Sequence, residues 1–426
     1  MMIQSPYLKE SLQQQFRVGD SGKWKIDVEK DNEPIAASTA ARATSNPPNL
    51  VINQKTDRSG KTIFYAGDIE TDLILRATYR RLAKQAGIRL PNREDIVNGI
   101  VEATCEASPY LVTKCDIKSF YESLDVEPIL RRILIDTRTD PGLKTVLRQI
   151  YSAAGIHRSL APRGLAISTV FAELALRDFD RIIRKTTGVH RYFRYADDMI
   201  IFSLPDVEII PTIERELKIL GLELNDKTET SSVSAVLKLP DHKPLPISRY
   251  TYLGYQFSAC EKVSSFRSRE FDISISEAKL QKRKTRVFLA LHAFKKDGNS
   301  ALLIDRLNYL STNQSVFKTR HRRGARKQKI RTGIRYNYPK CGHYPSSKRG
   351  LIQEEHHAHE LIALDVVLKN ALFGASSEFS PYIAALPLGI QKRIEAISFA
   401  QGYKKKLMKR FTRQRVGQIC KVWGHE

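Results

Sequence analysis

The amino-acid sequence predicts an α+β fold, in which a region of mixed strands and helices is followed by a mostly helical region. Between about residues 108 and 260, short apolar runs typical of strands alternate with segments of helical periodicity. Two of these runs, 190–195 and 199–203, are separated only by Ala196-Asp197-Asp198, which indicates an antiparallel hairpin. After Ser276 the periodicity is helical almost throughout. Antiparallel strands grouped apart from the main body of helices are typical of the α+β class.

Length and charge narrow the classes of function. The chain has 426 residues, 42% of them hydrophobic, and 70 Lys and Arg against 46 Asp and Glu give a formal net charge of +24. At roughly 100 to 200 residues per domain, two or three domains are expected, and intrinsic disorder as the main state is excluded. The positive excess favours a polyanionic partner. The five cysteines form no Cys-x-x-Cys pair, and the chain shows neither a signal-peptide pattern nor a long apolar run, which predicts a soluble, cytoplasmic protein without a membrane partner.

The elements follow in chain order from periodicity, capping residues and turn signals. Residues 1 to about 65 are polar and rich in turn residues, which predicts an irregular lead-in. Ser168 follows the Pro162-Arg163-Gly164 turn and is the expected N-cap of the next helix. Helices are expected from Ile69, over 93–107, 119–134, 168–184, 207–220, 276–296, 301–310 and 359–372, and in two or three pieces over 381–413. Strands are expected over 110–117, 222–224 and 250–257, and a long basic loop is expected after 310.

Two adjacent aspartates at the tip of the predicted hairpin are the most informative feature. Because side-by-side anions repel and tight turns more often use Asn-Gly or Asp-Gly, Asp197 and Asp198 indicate a bound cation. Asp116 ends the strand 111–115, and if that strand lies beside the hairpin, Asp116 and Asp197 converge to hold two Mg²⁺ ions through oxygen ligands. Two metal ions about 3.5 to 4 Å apart can activate a primer 3′-hydroxyl and stabilise a leaving pyrophosphate. The structural alternatives are an exposed Asp-rich turn and, for Asp116, a helix N-cap.

Five motifs in this region resemble, in family order, the palm motifs of reverse transcriptases. Any one of them is weak, but five in order over about 140 residues are specific. They are Asp116-Ile117-Lys118-Ser119-Phe120-Tyr121, residues 162–168 with Glu173 and Asp180, Tyr195-Ala196-Asp197-Asp198, residues 221–228, and Tyr252-Leu253-Gly254-Tyr255. The resemblance implies a right-hand polymerase with fingers over 1–109, a palm with an antiparallel sheet over 110–262, and an α-helical thumb with a basic RNA-binding extension over 263–426.

The resemblance also implies roles for single residues. Asp116 and Asp197 would ligate both metal ions with help from the Ile117 carbonyl, and Asp198 would be the supporting acid. Tyr121 would lie under the incoming sugar and exclude a 2′-hydroxyl, which favours deoxynucleotides. The other nucleotide-binding candidates are Arg163, Gly164 and Lys227. The missing side chain of Gly164 would let the backbone approach the nucleotide and template. Lys227 could protonate the pyrophosphate. The primer grip would consist of Tyr252, Gly254 and Tyr255.

One departure narrows the resemblance. Most intron and retroviral reverse transcriptases carry Gln where this chain has Arg163, so the role of that position is not directly transferable. The run 162–168, its following Ala-Glu pair and Thr332-Gly333-Ile334-Arg335-Tyr336-Asn337-Tyr338-Pro339 look like the bacterial defence-associated and abortive-infection reverse transcriptases. That group implies an enzyme bound to a structured noncoding RNA encoded beside it, which serves as template, and is a candidate primer, for a cDNA that acts against phage. No ribonuclease H, protease or intron endonuclease motif is recognised.

Basic residues interleaved with aromatic ones suggest where RNA would bind. Nine Lys and Arg and no acid lie between Lys318 and Arg335, and eight more lie between Lys404 and Lys421. Cations beside tyrosines suit phosphate contact with base stacking, although a solvated charge run is the structural alternative. Arg76 and Arg80 form a basic stripe with Lys84 on one helix. The RNA-binding candidates are Arg76, Arg80, Lys318, Arg320, Arg322, Arg323, Arg326, Lys327, Lys329, Arg331, Arg335 and Tyr336.

The sequence thus predicts an RNA-directed DNA polymerase that uses two Mg²⁺ ions and dNTP substrates. Two alternatives stay open. The same site could perform untemplated or protein-primed DNA synthesis, or the chain could be an RNA-binding scaffold with a vestigial polymerase site, against which the intact Asp116, Asp197 and Asp198 speak. A nucleotide cyclase on a similar palm lacks the Gly-Gly-x-Glu-Phe hairpin. The identity of the template, the priming mechanism and the oligomeric state are not written in the sequence.

Overall fold

The computed structural model describes residues 5–17, 19–57, 59–234, 246–263, 268–320, 326–345, 351–354 and 359–424. The chain divides into two units. Unit 1 comprises Met1–Ile96, Tyr110–Thr230 and Lys318–Lys327, and unit 2 comprises Val97–Pro109, Ser231–Phe317 and Gln328–Glu426. The predicted lead-in and most of the predicted palm therefore share unit 1. The division into fingers, palm and thumb stays a prediction.

Unit 1 carries a four-stranded sheet surrounded by helices. Its helices are α1 (Lys9–Gln13), α2 (Asp20–Trp24), α3 (Val28–Thr44), α4 (Ile69–Gln85), α5 (Arg93–Thr104, which continues into unit 2), α6 (Phe120–Ser123), α7 (Glu127–Ile135), α8 (Pro141–Ala154), α9 (Ile167–Ala175), α10 (Arg177–Lys185) and α11 (Ile210–Ile219). Its strands are β1 (Ile52–Thr56), β2 (Thr62–Ala66), β3 (Tyr110–Asp116), β4 (Val189–Tyr195), β5 (Asp198–Ser203) and β6 (Glu229–Val233, which also continues into unit 2).

The main sheet of unit 1 has the strand order β4-β5-β3-β6. Strands β4 and β5 form the predicted antiparallel hairpin, and β5 also pairs antiparallel with β3. Met199 to Phe202 are fully buried, since a continuous apolar run is suited to a strand that is covered on both faces. The α+β class predicted from the sequence is therefore confirmed for the described residues, with several antiparallel sheets.

The N-terminal segment is not the irregular lead-in that the sequence predicts. It forms α1 to α3 and the antiparallel hairpin of β1 and β2. Asp27 caps α3 by accepting a hydrogen bond from the backbone N–H of Glu29. The apolar residues here are sparse, but Leu12 and Phe16 are almost fully buried, and α3 faces the core with Ala36 and other small side chains. Small core residues leave little hydrophobic periodicity, which is why the helix gives a weak signal.

Two predicted helices are each broken in two. The 119–134 segment forms α6 and α7, because Val126 donates its N–H to the Ser159 carbonyl at 2.8 Å and Pro128 starts a new helix. The 168–184 segment forms α9 and α10, interrupted at Leu176. Ser168 is not the expected N-cap, since it lies inside α9 and its hydroxyl donates to the Pro162 carbonyl at 2.6 Å.

Unit 2 combines two sheets with a set of helices. Its helices are α12 (Glu277–Asp297), α13 (Ser300–Ser311), α14 (His359–Phe373), α15 (Ser380–Ala384), α16 (Leu388–Glu395), α17 (Phe399–Lys404) and α18 (Arg413–Cys420), followed by a 3₁₀ turn at Lys421–Trp423. Its strands are β7 (Pro246–Tyr252), β8 (Tyr255–Val263), β9 (Arg269–Ile275), β10 (Asn313–Arg320, which continues into unit 1), β11 (Arg326–Gly333, which begins in unit 1), β12 (Gly342–Tyr344) and β13 (Met408–Lys409). The sheet orders are β12-β9-β8-β7 and β11-β10-β13. Among the described residues, no helix is both long and apolar enough to cross a bilayer.

Two expectations for unit 2 are corrected. The single strand predicted over 250–257 is the hairpin of β7 and β8, because Leu253 and Gly254 have φ angles of 47° and 81° and reverse the chain direction. The long basic loop predicted after 310 contains β10 and β11. Its Lys and Arg residues obscured the strand signal of the β-branched Val316 and Thr319 and the aromatic Phe317.

Arg269 is a buried cation in unit 2, with 1% of its surface exposed. Its guanidinium donates to the carbonyls of Glu106, Cys260, Ala107 and Ser234 at 2.7 to 3.2 Å. These bonds tie the sheet to the segments on either side of it. Hydrogen bonds to a charged group are stronger than neutral ones, and carbonyls left without a donor in the interior are costly.

Arg269→Ala is therefore expected to destabilise the full chain by about 3 to 5 kcal/mol, because four carbonyls lose their donor and a cavity forms. Calorimetry would show a lower Tm. Arg249→Ala, on an exposed position of β7, is the matched control and should change stability by less than about 0.5 kcal/mol. Equal Tm values for the two variants would contradict the structural role of Arg269.

Candidate active site

The three predicted aspartates meet at the end of the β3–β5 pair. Asp116 is the last residue of β3 and lies directly opposite Asp198, the first residue of β5. Directly opposite residues in an antiparallel pair have Cβ atoms about 5 Å apart. Asp197 occupies the turn before β5, and the Ile117 N–H donates to its carbonyl at 3.3 Å. The structure therefore brings Asp116, Ile117, Asp197 and Asp198 together at one end of the sheet.

The turn that carries Asp197 is held by Arg194. Ala196 has a φ of 58°, an uncommon conformation for a residue with a side chain. The Arg194 guanidinium donates to the Ala196 carbonyl at 2.9 Å and, from the same side chain, to Glu173 and Asp180 at 2.8 to 3.0 Å. Because the guanidinium is a planar fork with several donors, it fixes the turn relative to α9 and α10.

Electrostatic repulsion is concentrated at this end of the sheet. Burial raises the pKa of Asp116, and the charge of Asp197 raises it further, whereas Asn225, Lys227 and Lys114 lower it. Burial also raises the pKa of Asp198 to about 7; Lys114 opposes this shift, and Asp116 and Asp197 add to it. A raised pKa means that the charged form of a carboxyl is disfavoured, so a bound cation would be stabilising here.

The predicted fourth motif lies beside Asp116. The Asn225 side-chain amide donates to the Asp116 carboxylate at 3.3 Å, and the Asn225 backbone N–H donates to the Asp116 carbonyl at 2.8 Å. Lys118 donates its N–H to the Glu223 carbonyl at 2.9 Å. Lys227 is exposed and close enough to lower the pKa of Asp116. The sequence alone assigned no role to Asn225. Its position directly before an Asp-Lys pair is the feature that could have indicated a role in the site.

The nucleotide-binding candidates occupy different surroundings. Tyr121 is half-buried, and its pKa is raised mainly by burial and then by the charge of Asp197. Arg163 forms ion pairs with Glu122 at 2.8 Å and Asp57 at 3.5 Å. Gly164 has a φ of 97° and a backbone pressed against β2, where a Cβ atom would lie 2.5 Å from the Phe64 carbonyl oxygen.

The predicted basic stripe on α4 is corrected. Arg76 is buried, and its guanidinium pairs with Asp20 at 2.7 Å and with Asp72 at 2.8 Å. An ion pair in the interior cannot be opened to RNA without exposing two uncompensated carboxylates. Arg80 is exposed and donates to the Gln14 carbonyl at 3.0 Å. Arg76 is therefore a core residue, and only Arg80 of these two lies at the surface.

The remaining candidates belong to other parts of the chain. Tyr252 and Tyr255 are buried at the ends of β7 and β8, so Leu253 and Gly254 form the accessible tip of the predicted primer grip. In the basic cluster, Lys329 and Arg331 are exposed, Arg335 and Tyr336 are half-buried, and the Arg331 guanidinium lies 5.4 Å from the Tyr336 ring. Arg322 and Arg323, and the side chains of Lys318, Arg320, Arg326 and Lys327, lie outside the described residues.

The donor set suits a magnesium ion that is shared with a substrate. In the described parts of the chain, no three His, Cys, Asp or Glu side chains gather closely enough to hold a metal ion alone. Mg²⁺ does not need such a cage, since it usually keeps several waters and binds through one or two carboxylates plus substrate phosphates. Asp116 and Asp197 supply two hard oxygen donors whose repulsion a cation would relieve. The residues present therefore fit Mg²⁺ with a phosphate-bearing substrate.

The raised pKa of Asp198 predicts an unusual pH dependence of stability. Because an unfolded Asp has a pKa of about 3.9, the folded state holds more protons than the unfolded state between about pH 4 and 7. Stability then falls as pH rises through that window. In EDTA, Asp198→Asn should lose less Tm between pH 5 and pH 8 than the wild type, and Asp206→Asn should behave like the wild type. An identical pH dependence in all three proteins would contradict the raised pKa.

Comparisons with known proteins leave the function to be argued from this geometry. No protein-family model matches the chain, and no curated protein matches it. Among solved structures, the chain is similar to telomerase from Candida albicans, determined in complex with the TWJ fragment of telomeric RNA, with a TM-score of 0.36 and 11% sequence identity. The similarity covers 87% of this chain and 69% of the telomerase chain. A likeness of this size carries no argument about fold or function.

Proposed function

We propose that this protein is an RNA-directed DNA polymerase that copies an RNA template into cDNA from dNTP substrates with two Mg²⁺ ions. The observation that carries the proposal is the meeting of Asp116, Asp197 and Asp198 at the end of the β3–β5 pair. Three acids at one end of a sheet, in a protein of net charge +24, repel one another, and a bound cation would relieve that repulsion. Phosphoryl transfer around divalent ions is the chemistry that best uses such a site.

The chain's own residues would position the reaction. Asp116 and Asp197 would hold the ions with the Ile117 carbonyl, and Asp198 would be the supporting acid. When bound, the ions would activate the primer 3′-hydroxyl and stabilise the leaving pyrophosphate. The hydrogen bond from Asn225 orients the Asp116 carboxylate. Lys227 is also near this end of the sheet, and its Nζ is the proposed donor of a proton to the leaving pyrophosphate.

Nucleotide contacts are proposed for Tyr121, Arg163 and Gly164. Tyr121 would support the sugar of the incoming dNTP. Arg163 would contact the nucleotide only after leaving Glu122 and Asp57. A substrate phosphate could replace these two carboxylates as partner of the guanidinium, since carboxylates and phosphates both accept bidentate hydrogen bonds from Arg. At Gly164, the missing side chain first of all allows the turn to approach β2 closely.

Tyr121 gives a test of substrate choice. In Tyr121→Ala the wall under the sugar is removed, so discrimination against ribonucleotides, measured as the ratio of kcat/KM for dNTP and rNTP, should fall by about 100-fold. Tyr121→Phe keeps the ring and should keep the ratio. Unchanged discrimination in the Ala variant would show that Tyr121 is not the sugar gate.

RNA would be held by residues outside the aspartate site. The primer grip is proposed at the tip of the β7–β8 hairpin, with Tyr252, Gly254 and Tyr255. The basic cluster that includes Lys329, Arg331 and Tyr336 is proposed to bind the RNA, because guanidinium and tyrosine groups beside each other suit phosphate and base contacts. RNA affinity should then fall steeply with salt.

Primer extension tests the chemistry. The wild type, Mg²⁺, dNTPs and a DNA primer on an RNA template should give a product complementary to the template, and Asp197→Ala plus Asp198→Ala should give none. A product that ignores the template sequence, or that stays bound to a Tyr or Ser of the protein, would instead favour untemplated or protein-primed synthesis. Retained RNA binding without any DNA synthesis by the wild type would favour the scaffold.

The biological role is proposed from the resemblance to defence-associated reverse transcriptases. The template would be a structured noncoding RNA encoded beside the protein, and the cDNA would act against phage. The test is to purify the protein from its native host, sequence the RNA and DNA that accompany it, and repeat with the aspartate variant. The expected result for the wild type is one enriched RNA together with DNA complementary to it. The variant should keep the RNA and lose the DNA. The absence of any enriched RNA would contradict the noncoding template.

A further inference from the structure

A cavity of about 440 Å³ lies in unit 1, among helices that carry none of the three aspartates. It is lined by parts of α4, α7, α9 and α10 and by the turn after α7, and its volume is within the roughly 300 to 1,000 Å³ of ligand pockets. Leu82 and Val170, which are almost fully buried, form an aliphatic floor with Ile133 and Leu174. Such a floor favours an aliphatic group on the occupant, because contact removes apolar surface of both from water.

The rim of this cavity is positively charged. Arg138 is paired with Asp136 through two hydrogen bonds of 3.0 and 2.9 Å, so this pair is neutral, and Asp136 is the one carboxylate among the described residues that line the cavity. Arg132 on α7 and Arg177 on α10 are exposed and have no acidic partner among the described residues. Arg177 donates one N–H to the Ala86 carbonyl at 2.5 Å, which leaves its other N–H groups for a ligand.

The walls of the cavity are fixed by contacts outside it. The bond from Arg177 to Ala86 ties the start of α10 to the end of α4. Helix α9, which lines the cavity with Val170 and Leu174, is held through Glu173, whose carboxylate accepts from Arg194 at 2.9 and 3.0 Å. A cavity with fixed walls loses little freedom when it is filled, which favours affinity.

The lining distinguishes between kinds of anion. A nucleic acid would place a base on the floor, but none of the described lining residues is aromatic, and the amide of Gln85, the one neutral polar side chain among them, donates to Thr139 at 2.8 Å. Bases are bound by aromatic stacking and hydrogen bonds to their edges, so a base would find neither. A free aliphatic acid carries a single carboxylate, whereas Arg132 and Arg177 lie on different helices and call for two.

We propose that this cavity docks an acidic peptide segment of a partner protein, which places one aliphatic side chain on the floor and a carboxylate on each side of it against Arg132 and Arg177. Guanidinium groups bind carboxylates through paired hydrogen bonds, which fixes the orientation of the peptide. The net charge of +24 would also speed the encounter with an acidic partner. The proposal assigns a partner to a surface for which the polymerase chemistry has no use.

A selection from a library of short random peptides, displayed on phage, tests the proposal with the full chain. Selection on the wild type is compared with selection on the double variant Arg132→Gln plus Arg177→Gln. Peptides enriched on the wild type alone should share an aliphatic residue with Asp or Glu on both sides. The absence of any peptide that distinguishes the two proteins, or enriched acidic peptides without the aliphatic residue, would overturn the proposal and assign peptide binding to the general positive charge.

Fluorescence anisotropy of one enriched, labelled peptide at fixed salt then measures each part of the contact. Replacing its aliphatic residue by glycine should weaken binding at least about tenfold, since that side chain loses its burial. Arg132→Gln and Arg177→Gln should each weaken binding by about threefold. Arg131→Gln and Arg181→Gln remove exposed charges from the same two helices outside the cavity and should keep the affinity. An equal loss in these two controls would contradict docking at the cavity.

Two further measurements separate the floor from the charges and the docking from catalysis. Ala86→Phe, at a half-buried position on the cavity wall, fills part of the cavity without changing charge and should abolish peptide binding at an unchanged Tm. Octanoate or a short single-stranded RNA that displaces the peptide as well as unlabelled peptide does would overturn the peptide assignment. Asp197→Ala plus Asp198→Ala should bind the peptide as tightly as the wild type, so the proposal stands or falls independently of polymerase activity.

Discussion

Asp116→Asn should lower the rate of templated DNA synthesis by at least about 10³-fold. Removing one preorganised electrostatic contact at a reacting centre lowers the catalytic rate by a factor of about 10²–10³, and the Asp116 carboxylate would serve both ions. The substitution keeps the shape of the side chain and its neighbour Asn225. Because burial and Asp197 raise the pKa of Asp116, the neutral amide removes repulsion. The Tm of the metal-free variant should therefore equal or exceed that of the wild type.

This combination of a lost rate and a retained Tm separates catalysis from folding. The measurements are single-turnover primer extension, Tm in EDTA, and Tm as a function of added Mg²⁺. Asp206→Asn, at an exposed position after the hairpin, should leave all three unchanged. Primer extension by Asp116→Asn at the wild-type rate would show that Asp116 is not part of the catalytic site.

Arg194→Met should cost about 3 to 5 kcal/mol of stability, because it leaves two carboxylates in the interior without their cation. The Arg194 side chain is 5% exposed, and those of Glu173 and Asp180 are 16% and 10% exposed. The same change frees the Ala196 carbonyl, so the turn that carries Asp197 loses its anchor. Polymerase activity should fall even at temperatures at which the variant is fully folded.

Two further variants distinguish the buried network from a general effect of charge. Arg181→Met removes an exposed pair with Asp178 and should change stability by less than about 1 kcal/mol. The triple change Arg194→Met, Glu173→Gln and Asp180→Asn removes the uncompensated charges and should recover part of the lost stability without recovering activity. Full activity in the triple variant would show that the turn does not need Arg194.

The aspartate site could be predicted because its parts are local. Asp197 and Asp198 lie in one hairpin, whose flanking apolar runs indicate two strands. Asp116 ends a third apolar run, and its position beside the hairpin follows once the strands share a sheet. The structure agrees, with Asp116 directly opposite Asp198. The roles of these residues remain the proposal that primer extension tests.

Cations were harder to predict, because a basic side chain looks alike in a sequence whether it is buried or exposed. Arg76 reads as one member of a surface stripe, yet it pairs with Asp20, which lies 56 positions away in the chain. Arg194 precedes the hairpin motif without any local sign that it reaches Glu173 and Asp180. On α12, Lys284 interrupts the spacing of Arg283 and the other cations that line a cavity in unit 2, so the helix reads as uniformly basic.

The sequence by itself determined the α+β class, the acidic hairpin in a basic chain and the residue types available for metal and phosphate binding, since these depend on periodicity and composition. Only the tertiary structure decided which charges are paired and which line an open cavity. The physical reason is that burial and ion pairing depend on contacts between segments far apart in the chain. The same residue type, arginine, therefore forms a core ion pair at Arg76, anchors a turn at Arg194 and lines a cavity at Arg283.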